Sequence, residues 1–148
     1  MSESPTDYLK RFLSDVDGII GLYVSDKDGV IMASVSSEDM PDQAIQPYVA
    51  TTFLSSIQQS SKLEMGALEW MVTRYEYMVI CQFNYATARP PLPLFLTIVG
   101  SNNCDLGVIL ATEPSIRPLL TRLAAHVSSR LAAEDALRSN TDGQFFRV

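Results

Sequence analysis

Two apolar runs, residues 19–25 and 30–35, are joined by nothing more than Asp26-Lys27-Asp28-Gly29. A parallel crossover needs about a dozen residues or more, so this connection forces an antiparallel hairpin. Asp28-Gly29 strengthens the reading, because both residue types tolerate positive φ. A second pair follows at residues 67–75 and 77–83, turning tightly at Glu76. In its first run Leu68, Trp70 and Val72 alternate with Glu69, Met71 and Thr73, as one strand's two faces do. In its second, Tyr77, Val79, Cys81 and Phe83 share a face. Residues 94–100 are almost continuously apolar, the pattern of a central strand covered on both sides. Between the last two runs lies a loop over residues 84–93 holding Pro90, Pro91 and Pro93.

Helical periodicity fills the gaps. Ser4 is placed to cap, Pro5 suits a first helical position and Asp7 a first turn. Leu9, Phe12, Leu13 and Val16 then form one stripe, which Asp17-Gly18 ends. Residues 42–61 predict a second helix with Ile45, Val49, Phe53 and Ile57 at intervals of four; Pro47 is tolerable near its first turn. Ala50 and Leu54 widen the apolar face, and the outer half is Ser, Thr and Gln with almost no charge. A helix face that poor in charge is poised to be covered. Residues 106–112 read either as strand, from Val108-Ile109-Leu110, or as helix, from the capping Asp105. Pro114 starts or restarts a helix carried by Ile116, Leu119, Leu120, Leu123, Val127 and Leu131. The pattern weakens from about Ala133, residues 139–143 are turn-like, and residues 144–148 make a short apolar end. The order helix, two strands, helix, three strands, helix predicts an α/β sandwich with a mostly antiparallel sheet. Residues 5–132 are expected to form its single domain and residues 133–148 an extension.

Composition bounds the function. The 148 residues are 47% hydrophobic and 19% charged, enough apolar material for a core. A net charge of −6 repels phosphate backbones and anionic lipid, which disfavours nucleic acid and direct membrane docking. No secretory signal, membrane-span-length apolar stretch or lipidation motif is read, so any membrane address is expected to come through a partner. Cys81 and Cys104 are expected to be reduced thiols. The single histidine, His126, and unpaired cysteines predict no metal site. Asp26-x-Asp28-Gly29 mimics the start of a calcium loop, but Val30, Met32, Val35 and Ser37 stand where further oxygen ligands and a closing glutamate are needed. No nucleophile elbow, glycine-rich phosphate loop or other cofactor motif occurs, so no enzyme and no cofactor is predicted. Arg89-Pro90-Pro91-Leu92-Pro93 fits either a polyproline ligand or a stiff loop.

Several stretches together resemble the MEK-binding scaffold subunits of the Ragulator complex, within the roadblock family. They are Leu9-Lys10-Arg11-Phe12-Leu13, Gly21, Val24-Ser25-Asp26-Lys27-Asp28-Gly29-Val30, Ser61-Lys62-Leu63, Gln82-Phe83-Asn84, Leu106-Gly107 and Arg117-Pro118-Leu119-Leu120, spread over residues 6–127. The resemblance implies a five-stranded antiparallel sheet, with the first and last helices on one face and the second on the other. It implies a non-enzymatic scaffold on late endosomes and lysosomes that heterodimerises with a sister roadblock subunit. Further implied partners are the other Ragulator subunits, Rag GTPases in amino-acid signalling to mTORC, and MEK and ERK kinases; the membrane is reached only through a lipidated partner. Carried onto this sequence, the expected pairing surface is Ala50, Leu54, Ile57 and Gln58 of the second helix with Leu68, Glu69, Trp70, Met71 and Val72 of the third strand. The proline-rich loop and the tail after Leu131 look longer than in relatives, and Pro114 predicts a break in what should be one last helix. Two other readings fit the pattern: a roadblock or longin-like subunit of a trafficking or dynein-type motor complex, and a PAS- or profilin-like small-molecule sensor.

Overall fold

The structure is a computed structural model describing residues 3–40 and 46–145, with side chains described at 3–40, 48–126 and Leu137. The expected start of the second helix, including Ile45, lies outside the described residues, as do residues 146–148. Helix α1 spans Pro5–Asp15 and strands β1 and β2 span Ile19–Ser25 and Ile31–Ser36. Helix α2 covers Gln46–Ser60. Strands β3, β4 and β5 follow at Trp70–Arg74, Met78–Asn84 and Phe95–Ser101, and helix α3 at Leu106–Phe145. All neighbouring strands are antiparallel in the order β2-β1-β5-β4-β3.

Local chemistry accounts for the elements. The Ser4 hydroxyl accepts the Asp7 N–H at 3.1 Å, satisfying a donor that the first turn of α1 would otherwise leave open. In the β1–β2 turn the Asp26 carboxylate accepts from the N–H groups of Asp28 (2.8 Å) and Val30 (2.9 Å), while Gly29 takes φ +87°. Calcium-loop resemblance is thus used up in an Asx turn.

The sheet separates two cores. On the face covered by α1 and α3, Leu22, Val24, Val79, Cys81, Leu96 and Ile98 meet Leu9, Ile109, Ile116 and Leu120. On the α2 face, Ile20, Tyr23, Ile80 and Val99 pack near Val49, and Phe53 meets Phe95 edge-on with centroids 5.1 Å apart. A bulge between Ile19 and Gly21 turns Ile20 to the same side as Tyr23. At Gly100 a Cβ would fall 2.7 Å from Ile109 Cδ1, so the glycine sets how closely α3 approaches β5.

Helix α3 settles the open choice at residues 106–112 and corrects the break expected at Pro114. Residues 106–112 are helical, not strand, and no break occurs at Pro114: one helix runs through Pro114, Pro118 and the turn-like residues 139–143 to Phe145. Each proline removes an N–H, which frees the carbonyls of Leu110 and Pro114. Both prolines lie on the exposed side, where water reaches such carbonyls. The first turns are held independently, by the Asp105 carboxylate accepting the Val108 N–H (3.3 Å) and by Ile109, fully buried. The helix is about 60 Å long against about 23 Å for a seven-residue strand. Its described buried residues end at Ala124.

Cys81 supplies a pH signature of this core. Burial, with a smaller effect of Cys104, pushes its thiol from the ordinary 9.0 up to about 11. The fold holds the neutral form, so this contribution is complete below pH 9 and is lost as pH rises through 11. We expect the urea midpoint to drop across that window, and Cys81→Ala to flatten the drop. An identical alkaline profile in both proteins would remove Cys81 as its cause.

Candidate functional site

Strand β3 ends the sheet, and no described strand pairs with its outer side. Its ladder with β4 shows which backbone groups remain. The Asn84 N–H donates to the Glu69 carbonyl and the Tyr75 N–H to the Met78 carbonyl, both at 2.8 Å. Antiparallel pairing alternates, so residues 69, 71, 73 and 75 turn their backbone groups toward β4. Trp70, Val72 and Arg74 direct theirs outward, as a row of donors and acceptors open to a further strand.

The strand expected over residues 67–75 is therefore Trp70–Arg74. Ahead of it Gly66 adopts φ +92°, the Asn84 N–H still binds the Glu69 carbonyl, and the Asn84 side-chain amide reaches the Leu68 carbonyl at 3.1 Å. Of the nine residues expected to contact a partner, Leu68 and Glu69 thus precede the strand. Trp70 and Val72 send their side chains to the α3 face: Trp70 stacks on Phe83 with centroids 6.5 Å apart, and Val72 packs on the core. Met71 projects to the α2 face.

Helix α2 carries no charged residue from Gln46 to Ser60. Ala50 is covered by the chain's own sheet at 5% exposure, beside fully buried Phe53. Leu54 and Ile57 are half-buried and Gln58 is exposed. Much of the outer polarity is satisfied internally. The hydroxyl of Thr52 donates to the Tyr48 carbonyl (2.6 Å), that of Ser56 to Thr52 (3.1 Å) and that of Ser61 to Gln58 (2.6 Å). Covering such a face strips little water from unpaired donors, so its desolvation cost is low.

Between α2 and the β3–β4 hairpin runs a groove of about 430 Å³, lined by Tyr48, Met71, Thr73, Tyr75, Tyr77 and Met78 among others. Tyr48 and Tyr77 are 72% and 75% exposed and Tyr75 is 49% exposed. Tyr77, expected inside a strand, instead lies in the turn before β4. The tyrosines were not anticipated as site residues. Alternation puts Tyr77 on the face of Val79 and Cys81 and Tyr75 at the end of the expected strand, so only the fold brings the three tyrosines onto one exposed groove. Exposed aromatics with low side-chain entropy are enriched at protein interfaces.

A second depression, of about 640 Å³, opens on the α3 face between Trp70, the residue 84–93 loop and α3. At its base the Tyr85 hydroxyl donates to the Glu113 carboxylate. Arg117 donates to the same carboxylate from Nε (2.8 Å) and a terminal nitrogen (3.2 Å). Burial, then the bond to Glu113, raises the Tyr85 phenol far above its usual range. The loop's Leu92 N–H donates to the Tyr85 carbonyl at 2.9 Å, so the proline motif forms a wall here.

The model of the family described as "Mitogen-activated protein kinase kinase 1 interacting" matches residues 4–127. The chain belongs to that family. Among its relatives, a protein of Drosophila melanogaster named Ragulator complex protein LAMTOR3 homolog is 35% identical over 116 residues, covering 78% of this chain and 89% of the relative. The Xenopus laevis Ragulator complex protein LAMTOR3-A is 32% identical over 129 residues, covering 87% and 100%. Solved structures place this member of the kinase-kinase-interacting family in the roadblock fold. The gliding protein mglB of Thermus thermophilus superposes with a TM-score of 0.65 at 15% identity, over 85% of this chain and 95% of the other. A Roadblock/LC7 domain from Streptomyces avermitilis superposes with a TM-score of 0.51 at 12% identity, over 83% and 93%. The expected roadblock sandwich is thus the observed fold. Among the described residues no helix is long and apolar enough to cross a membrane.

Proposed function

We propose that this chain is a non-catalytic adaptor subunit of a Ragulator complex, which pairs with a sister roadblock subunit through β3 and α2. The observation that carries the reading is the open edge of β3 lying beside a charge-free helix and an exposed tyrosine groove. A partner strand satisfies the outward groups of Trp70, Val72 and Arg74. Its helix covers Leu54, Ile57 and Gln58, together with Tyr48 and Met71. Leu68 and Glu69 flank the join, and Ala50 acts from beneath by seating α2. The pairing unit is residues 5–132, and the remainder of α3 extends from it.

In this reading the pair is a platform. It joins the remaining Ragulator subunits, supports Rag GTPase recruitment and amino-acid signalling to mTORC, and positions MEK and ERK kinases. It resides peripherally on late endosomes and lysosomes through a lipidated partner subunit. The names of the relatives support the complex, and the family description supports a kinase partner.

Co-expression with candidate sister subunits, followed by size-exclusion chromatography with light scattering, tests the pairing. The expected result is a one-to-one heterodimer that Leu54→Glu disrupts, since a carboxylate would be buried without a partner. A chain that remains monomeric with every roadblock sister, or a Leu54→Glu protein that pairs as before, would overturn it.

A further inference from the structure

The depression on the α3 face is not needed for pairing, which uses the edge and the α2 side. Its chemistry is specific. Trp70, half exposed and stacked on Phe83, makes an apolar shelf that continues into Leu92 and Leu110. Glu113 is only 6% exposed and its carboxylate is held by Tyr85 and Arg117. The Arg117 side chain, by contrast, is 63% exposed, and Arg89 stands exposed on the opposite loop. In a chain of net charge −6, this mouth presents two guanidinium groups while one compensating carboxylate is buried. Glu69, exposed at the β3 end, gives the mouth the opposite sign there. The volume of about 640 Å³ lies inside the roughly 300–1,000 Å³ range of ligand clefts.

We propose that this crevice docks a short extended peptide segment of another protein, with a large apolar side chain on the Trp70–Phe83 shelf and an acidic side chain between Arg89 and Arg117. Guanidinium groups favour carboxylates geometrically, and the aromatic shelf supplies area without much loss of side-chain freedom. Glu69 orients the segment, since an acid is repelled from the β3 end. The inference goes beyond sister-subunit pairing and does not depend on it.

The full chain is panned against a phage-displayed library of random twelve-residue peptides, and an enriched peptide is synthesised and titrated. Trp70 is the only tryptophan, so its emission reports occupancy directly. The expected result is a consensus pairing Asp or Glu with a large apolar residue and a blue shift of Trp70 emission on binding. Affinity should fall at least tenfold in Arg89→Glu and in Thr121→Glu, both at exposed positions, and stay unchanged in Lys62→Glu beyond α2. No enrichment, a basic or uncharged consensus, unshifted emission, or equal binding by the Arg89→Glu and Thr121→Glu proteins would each overturn the proposal. Pairing with the sister subunit, scored separately by chromatography, is expected to be normal in all three variants, so failure of one reading does not mimic failure of the other.

Discussion

Val72→Pro is expected to weaken binding of the sister subunit at least about fivefold while leaving the chain folded. Backbone groups alternate along β3 between its neighbour and the open edge. The backbone N–H of Val72 points away from β4, so proline there breaks no bond of the chain's own ladder. It does remove a donor from the row offered to a partner, and it leaves that partner's carbonyl unsatisfied. The cost is about 1–3 kcal/mol, or roughly five- to 150-fold in affinity. Thr73→Pro is the counterpart. Its N–H serves the β3–β4 ladder, so stability falls along with pairing. Isothermal titration of each purified variant, with thermal melts alongside, separates the two effects. Wild-type affinity in Val72→Pro would mean that the partner does not extend this sheet.

Phe53→Ala should have the largest effect on stability. The ring is fully buried, packs edge-on against Phe95, and anchors α2 where the chain crosses from the β2 edge toward the β3 edge. Truncating a buried phenylalanine costs about 3–5 kcal/mol, a large share of the roughly 5–15 kcal/mol that holds a domain together. For a chain of this size the melting temperature should fall by roughly 10–15 °C. Pairing should suffer as well, since α2 and its groove lose their seat. A melting temperature within about 3 °C of wild type would show that α2 is held by something other than Phe53.

Much of this architecture is legible in the amino-acid order because its signals are local. The four-residue link at Asp26 forces a hairpin, Ser4-Pro5 starts a helix, and the unbroken apolar run near Leu96 marks a strand covered on both faces. What escapes is what depends on neighbours. Pro114 reads as a break, yet flanking buried residues such as Ile109 and Ile116 carry α3 through it. Residues 67–69 alternate like strand, but the Asn84 amide takes one of their carbonyls. Trp70 reads as a partner contact. Its backbone belongs to the open edge, whereas its side chain lies over the α3 face. Ala50 widens a stripe in the sequence and proves to be covered by the chain's own sheet. The tyrosines at 48, 75 and 77 come together only through the fold, since no periodicity links them.

The strand order carries a consequence for how the protein is made. β5 is the last strand to leave the ribosome, yet it lies between β1 and β4 and joins the two hairpins. Until it emerges, the nascent chain holds two separate ribbons that are not neighbours in the sheet, and two-stranded ribbons are at best marginally stable in water. Assembly of the whole sheet therefore waits for residue 101, and a ribosome stalled before that point presents unpaired apolar strands to the chaperones around it.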